Sequence, residues 1–290
     1  MRRASSFEAR NPKRGTRNPE PTIAMPTRIL NWFWVPPEDR GKPVPWLVRL
    51  LNAGLAMGLV AAICFFSFSQ LRYAWNWGGV ADYRELFLRG WFNTLWIAAI
   101  ALVLSTLIGL IVALARRSGI FVLQVLSRVY VEIIRGSPLL VQVSFGFYVV
   151  ADAFKIENRV IVGLSALSLF SGAYISEIIR GGIESVGISQ LESARAIGLT
   201  RSQIYRYVIF PQAIRLILPP LAGKLVDLIK DSSLLAVIAI NEFTWSAQNV
   251  AGLTYSNFEC YLILFAGYLV LTIPLSLWTQ WLEKQTRYET

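Results

Sequence analysis

The sequence predicts an all-α fold, a polytopic membrane helical bundle with six transmembrane helices. Three observations lead there. Of 290 residues, 54% are hydrophobic and only 16% are charged. The apolar residues gather in long blocks instead of alternating with polar ones. Several blocks also reach the roughly 20 residues that a helix needs to cross about 30 Å of hydrocarbon.

The chain opens on a basic stretch. Residues 1–49 hold ten Lys or Arg against four Asp or Glu. Residues 1–45 are rich in Pro, Arg and Asn with little apolar periodicity, which predicts a disordered tail. Its positive charge assigns it to the cytoplasmic side. No short charged region directly precedes the first apolar run near the start, so a secretory signal is not expected. The first span is predicted at about 47–70 and the second at about 88–115. Residues 120–150 are too long for one simple span and contain Arg128, Glu132 and the breaker "RGSPLL". That pattern predicts an amphipathic helix along the cytoplasmic surface, then the third span, with Pro138 near a helix start where its missing N–H costs little. The remaining spans fall at about 160–179, 212–240 and 258–281, with kinks expected at Pro219, Pro220 and Pro274.

The loops check the count. With the N-terminus inside, the inner segments 1–49, 116–137, 177–216 and 283–290 carry net charges of +6, +3, +2 and 0. The outer segments 71–89, 152–159 and 241–259 carry +1, 0 and −2. The excess lies inside, as six spans with both termini cytoplasmic require. Small residues recur at helical spacing in the second span (Ser105, Gly109, Ala113) and the fourth (Ser168, Gly172, Ser176). Such stripes allow close backbone approach, either within one bundle or across a subunit interface.

Several function classes are excluded. The net charge of +10 invites a nucleic-acid reading, but most of the excess sits in the tail before the first span. With no histidine and only Cys64 and Cys260, both in apolar runs, no metal or haem site is expected and no cofactor is called for. No phosphate loop of the form GxxxxGK[ST] occurs, so this chain is not expected to hydrolyse ATP itself. A membrane-embedded enzyme would need a catalytic cluster, and no convincing nucleophile and base are present.

One polar interruption, "SQLESARAIGLTRSQIYRYVIFPQ" from Ser189 to Gln212, separates two apolar runs. Ser189 with Glu192, and Thr200 with Gln203, have the spacing of capping boxes. Gly198 between them suits a left-handed helix end. The prediction is helix, tight turn, helix, over about 190–197 and 201–209. Helices this short are marginal alone, so they must dock. Leu191, Ala194, Ile197, Ile204 and Val208 supply an apolar face for the bundle or for a partner, and Arg195, Arg201 and Arg206 the opposite one. In the fifth span Asp227, Lys230 and Asp231 are spaced i, i+3 and i+4 on one face. Ionisable groups at membrane depth mark a substrate path by default, although these three can also simply neutralise one another. Gln142 and Glu177 could line the same passage, or Glu177 could pair with Arg180.

At Glu192, Ala194, Gly198 and Pro211 the interruption resembles the cytoplasmic coupling motif of ATP-binding cassette (ABC) importer permeases, with Ser193 where that motif usually has alanine. "EIIRGSPLLVQ", "AYISEIIRGGIESV", "PQAIRLILPPL" and "LIKDSSL" are similar, in order, to the polar amino acid (His/Gln/Arg-type) subfamily. Ser189 stands where that subfamily often has glycine, and Gly223 where it often has asparagine. The resemblance covers roughly 90–285 and implies three regions: a tail at 1–45, an extra N-terminal helix and external loop at 46–86, and a five-helix transmembrane domain at 87–285 with coupling helices at 189–210. It implies a permease that carries polar amino acids across the inner membrane and is not itself an enzyme. Its expected partners are an ABC ATPase subunit, an extracytoplasmic solute-binding protein, a second permease subunit and membrane lipids. Glu192, Ser193, Ala194, Gly198 and Pro211 would meet the ATPase, while Gln142, Asp227, Lys230 and Asp231 would face the substrate. Alternatives are a permease for an opine, a sulfur compound or an organic cation, and a membrane scaffold that does not transport.

Overall fold

The computed structural model describes residues 46–70 and 72–286, so the tail at 1–45 lies outside the described residues. The chain divides into two units, Met1–Ala74 and Trp75–Thr290. In the first, helix α1 (Trp46–Ser69) is an apolar run with Arg49 and Asn52 near its start. The Asn52 amide donates to the Val48 carbonyl at 2.8 Å, which keeps that polar group within the helix.

The second unit contains α2 (Trp77–Ala81), α3 (Arg84–Arg116), α4 (Phe121–Gly136), α5 (Leu139–Phe145) and α6 (Arg159–Glu184). These are followed by α7 (Ile188–Ala196), α8 (Arg201–Ile204), α9 (Phe210–Asp231), α10 (Phe243–Thr254) and α11 (Asn257–Thr286). A π segment, Gly146–Ala151, extends α5, a second, Tyr205–Ile209, joins α8 to α9, and a 3-10 segment, Ser232–Ile238, follows α9. No strand occurs among the described residues.

The small-residue stripes on α3 and α6 meet each other. A Cβ added at Gly109 would stand 2.7 Å from Ile175 Cγ2 and 3.1 Å from the Gly172 carbonyl. One at Gly172 would stand 2.7 Å from Ile108 Cγ2. The two backbones therefore touch at positions where only a hydrogen fits, and the stripes serve packing within the bundle. Around this pair, Ile97, Ala101, Val143, Leu167, Leu228 and Leu235 form the main buried cluster. A second cluster joins Phe87, Phe243, Val250, Cys260 and Leu264. Cys64 and Cys260 are both free thiols.

The region of "RGSPLL" is a broken helix. Pro138 pushes Ser137 into extended backbone (φ −121°, ψ 146°), and α4 and α5 meet at a bend of 106°. The carbonyls left open at the break are met by one side chain: Gln142 Nε2 donates to Ile134 O at 2.7 Å and Ser137 O at 3.1 Å. By contrast, α9 continues as helix through Pro219 and Pro220, and α11 through Pro274.

Among the described residues, α1, α3, α6 and α11 are long and apolar enough to span a membrane alone, and the bent α4–α5 pair makes a fifth. The six predicted spans include α9, which holds Arg215, Lys224, Asp227, Lys230 and Asp231 and so lacks the composition of a lipid-facing span. It packs against α11, α6 and α3. A charged helix surrounded this way reads as an inner helix of the bundle.

Candidate functional site

Two constellations are built on α9, one before its first residue and one near its end. The first is the knob formed by α7, α8 and the π segment. The turn between α7 and α8 is held by two backbone bonds: Gly198 N–H donates to Arg195 O at 2.9 Å and Leu199 N–H to Ala194 O at 3.1 Å. This is a Schellman turn, with Gly198 at φ +80° as its left-handed residue. Thr200 and Gln203 form the expected capping box; Thr200 N–H donates to Gln203 Oε1 at 2.8 Å and Gln203 N–H to Thr200 Oγ1 at 3.4 Å. The capping box at Ser189 and Glu192 does not form. Gly187 is the N-cap instead, its carbonyl accepting from Gln190 N–H at 3.1 Å, so Ser189 is already inside the first turn.

Ala194, Ile204 and Ile209 bury against Val186 and Ala213, with Leu191 and Val208 packed at the margin. Ile197, expected on that face, is the C-cap of α7 and is instead 77% exposed. An open groove of about 530 Å³ beside it is lined by Ser189, Gln190, Ser193, Ala194, Ile197, Leu199, Val208 and Gln212. Glu192 is exposed on α7, and Pro211 is the second residue of α9. Arg117, just past α3, donates to the Tyr205 hydroxyl at 3.0 Å and ties the knob to that helix. Nearby, Glu177 of α6 accepts from Arg180 at 3.0 and 2.7 Å and from Arg116 of α3, while Arg180 also reaches Glu184. Glu177 therefore joins α3 to α6 as well as pairing locally.

The second constellation is the charged face of α9. Asp227 receives Lys230 at 3.2 Å and Lys224 at 3.4 Å. Asp231 lies partly buried one turn beyond Asp227. Lys224 is a functional candidate that sequence reading missed, although its spacing of three from Asp227 was available as a signal. Its ammonium sits 4.9 Å from the centre of the Tyr174 ring and 6.0 Å from that of Phe170. Arg135 of α4 lies over the same Tyr174 ring at 5.2 Å. Three helices thus bring acids, cations and aromatic rings together, while Gln142 is engaged at the α4–α5 break.

Beyond α9, Glu242 caps α10. Its carboxylate accepts from Thr244 N–H at 2.8 Å, Trp245 N–H at 2.6 Å and the Tyr268 hydroxyl at 3.2 Å, while Thr94 of α3 stands 3.5 Å away. The group is fully buried. Burial pushes its pKa up to about 7, against the opposing pull of those hydrogen bonds.

A bundle of apolar helices with a docked helical knob at one end and a charged inner helix has the architecture of a polytopic membrane protein. The chain belongs to the family of binding-protein-dependent transport system inner membrane components, which matches residues 105–288. It is 38% identical over 210 residues to the probable glutamine ABC transporter permease protein GlnM of Bacillus subtilis (strain 168), covering 70% of this chain and 94% of the relative. It is also 37% identical over 194 residues to the nopaline transport system permease protein NocM of Agrobacterium fabrum (strain C58 / ATCC 33970), covering 63% and 80%. A crystal structure of an amino acid ABC transporter with histidines superimposes with a TM-score of 0.70 at 36% identity, covering 73% of this chain and all of that one. The chain is therefore an ABC transporter permease subunit, not an enzyme. A permease of this class works with an ATPase and a binding protein.

Proposed function

We propose that this permease imports polar amino acids across the inner membrane, driven by a separate ATPase that grips the knob through Glu192, Ser193 and Gly198, with Ala194 packed beneath them. Movement of the knob enters the bundle at Pro211 and α9. Substrate passes Asp227, Lys230 and Asp231, with Gln142 at the bend beside the passage. The observation that carries this reading is the α9 face, where carboxylates and ammonium groups stand together as a zwitterionic solute requires. The glutamine and histidine in the names of a relative and of the solved structure point to the same substrate class. In this reading six spans place both termini in the cytoplasm, 1–45 is a tail and 46–86 adds an N-terminal helix and external loop. The transmembrane domain is 87–285, its coupling helices lie at 189–210, and a second permease subunit completes the passage.

The test is uptake of labelled L-glutamine by proteoliposomes holding the assembled transporter, ATP inside and binding protein outside. ATP-dependent accumulation is expected. Accumulation of nopaline without any amino acid would favour the second reading, an opine permease, which the NocM relative supports.

A further inference from the structure

Lys224 differs from the other charges of α9. Its side chain is only 10% exposed, whereas those of Asp227 and Lys230 are about half exposed, at 47% and 56%. Lysine is seldom buried unless paired, and its pairing here is incomplete. The carboxylate that it reaches, Asp227, is shared with Lys230, and much of its remaining surroundings is the Tyr174 and Phe170 rings. Ring faces attract a cation but do not neutralise it. Arg135, from a different helix, adds a second positive charge at the same Tyr174 ring. Lys224 and Lys230 stand beside Asp227 and Asp231, and Arg135 brings a further positive charge to the Tyr174 ring that Lys224 also meets, at a place lined by aromatic surface. An arriving carboxylate would complete the set.

We propose that Lys224, together with Arg135 and Tyr174, forms a subsite for a substrate carboxylate, and that the two cations gathered at this ring repel a cationic side chain, so that the passage admits amino acids with neutral or acidic side chains and disfavours those with a cationic one. This rests on the amino acid reading above and adds a direction of selectivity to it. Asp227 and Asp231 are left to meet the α-ammonium group. The aromatic rings hold the lysine in place between passages, which a fully matched ion pair would do at the expense of closing the subsite.

The test is direct binding to the purified permease–ATPase complex without its binding protein, so that the binding protein's own selectivity does not enter. Labelled L-glutamine is displaced by unlabelled L-glutamate or L-arginine. L-Arginine should compete about tenfold less well than L-glutamate. Lys224→Glu should reverse that order, and Lys224→Arg should preserve it, with gel filtration confirming that both variants assemble. An unchanged order in a well-assembled Lys224→Glu complex overturns the subsite. Binding of L-arginine as tight as L-glutamate in the wild type also overturns it but leaves the amino acid reading standing. If the wild-type complex binds none of the three, and uptake in proteoliposomes fails too, the amino acid reading falls and this inference with it.

Discussion

At the scale of single residues, Glu242 has the most direct chemical consequence. A carboxyl group whose folded pKa is raised stabilises the fold fully below its unfolded value, near 4.5, and loses that contribution as pH rises to about 7. The purified permease should therefore lose thermal stability between those limits and level off above them. Glu242→Gln should flatten the profile, since an amide can still accept the α10 N–H bonds. No histidine contributes within that window. A wild-type profile that rises with pH would contradict the assignment. Residue spacing alone pointed to Asp227 and Lys230, because i and i+3 share a helix face. The same spacing of three links Lys224 to Asp227, but its burial, which depends on Phe170 and Tyr174 some fifty residues earlier in the chain, is not legible in spacing. Of the apolar face offered to the bundle or to a partner, Ala194 and Ile204 are buried within the permease while Ile197, the C-cap just past the end of α7 at Ala196, is left exposed.

At the scale of elements, helix ends were legible wherever a side chain or a glycine sets the cap. Thr200 with Gln203 and the left-handed Gly198 behaved as their chemistry dictates. Ser189 failed because a competing start at Gly187, whose φ of −57° and ψ of 136° lead straight into the helix, lies two residues upstream. The break at Pro138 was legible in the proline; its 106° bend was not, since the angle is set by what α4 and α5 pack against. The α3–α6 contact supplies the prediction at this scale. Gly172→Val would drive its Cβ to within 2.7 Å of Ile108 and its branches into α3, where the Ser105 carbonyl is already 3.4 Å from that Cβ. Overpacking of this kind should cost about 1–3 kcal/mol, read as a lower unfolding temperature. Gly223→Val, with no atom within 4 Å of its added Cβ, provides the control. Equal losses in the two variants would mean that close packing at Gly172 is not what limits stability.

At the scale of the whole transport unit, the knob and the charged face share α9, and the knob is fastened to the rest at more than one point. Val186 follows α6, Ala213 lies on α9, and Arg117 at the end of α3 reaches Tyr205. A force on the knob is thus delivered to α3, α6 and α9 together, and α6 and α9 carry the Tyr174 ring and the Asp227 cluster. Such a rigid lever needs a grip on its free side, and Ile197 is a large apolar residue standing beside the turn at 77% exposure. An isoleucine in water contributes nothing to the fold, but it anchors a partner if a pocket receives it. Ile197→Glu should leave the unfolding temperature of the permease unchanged while reducing co-purification of its ATPase about tenfold or more. Uptake should fall with the loss of that partner. Full retention of the ATPase by the variant would show that the grip lies elsewhere on the knob. A drop in stability would show instead that Ile197 packs within the permease, contrary to its exposure.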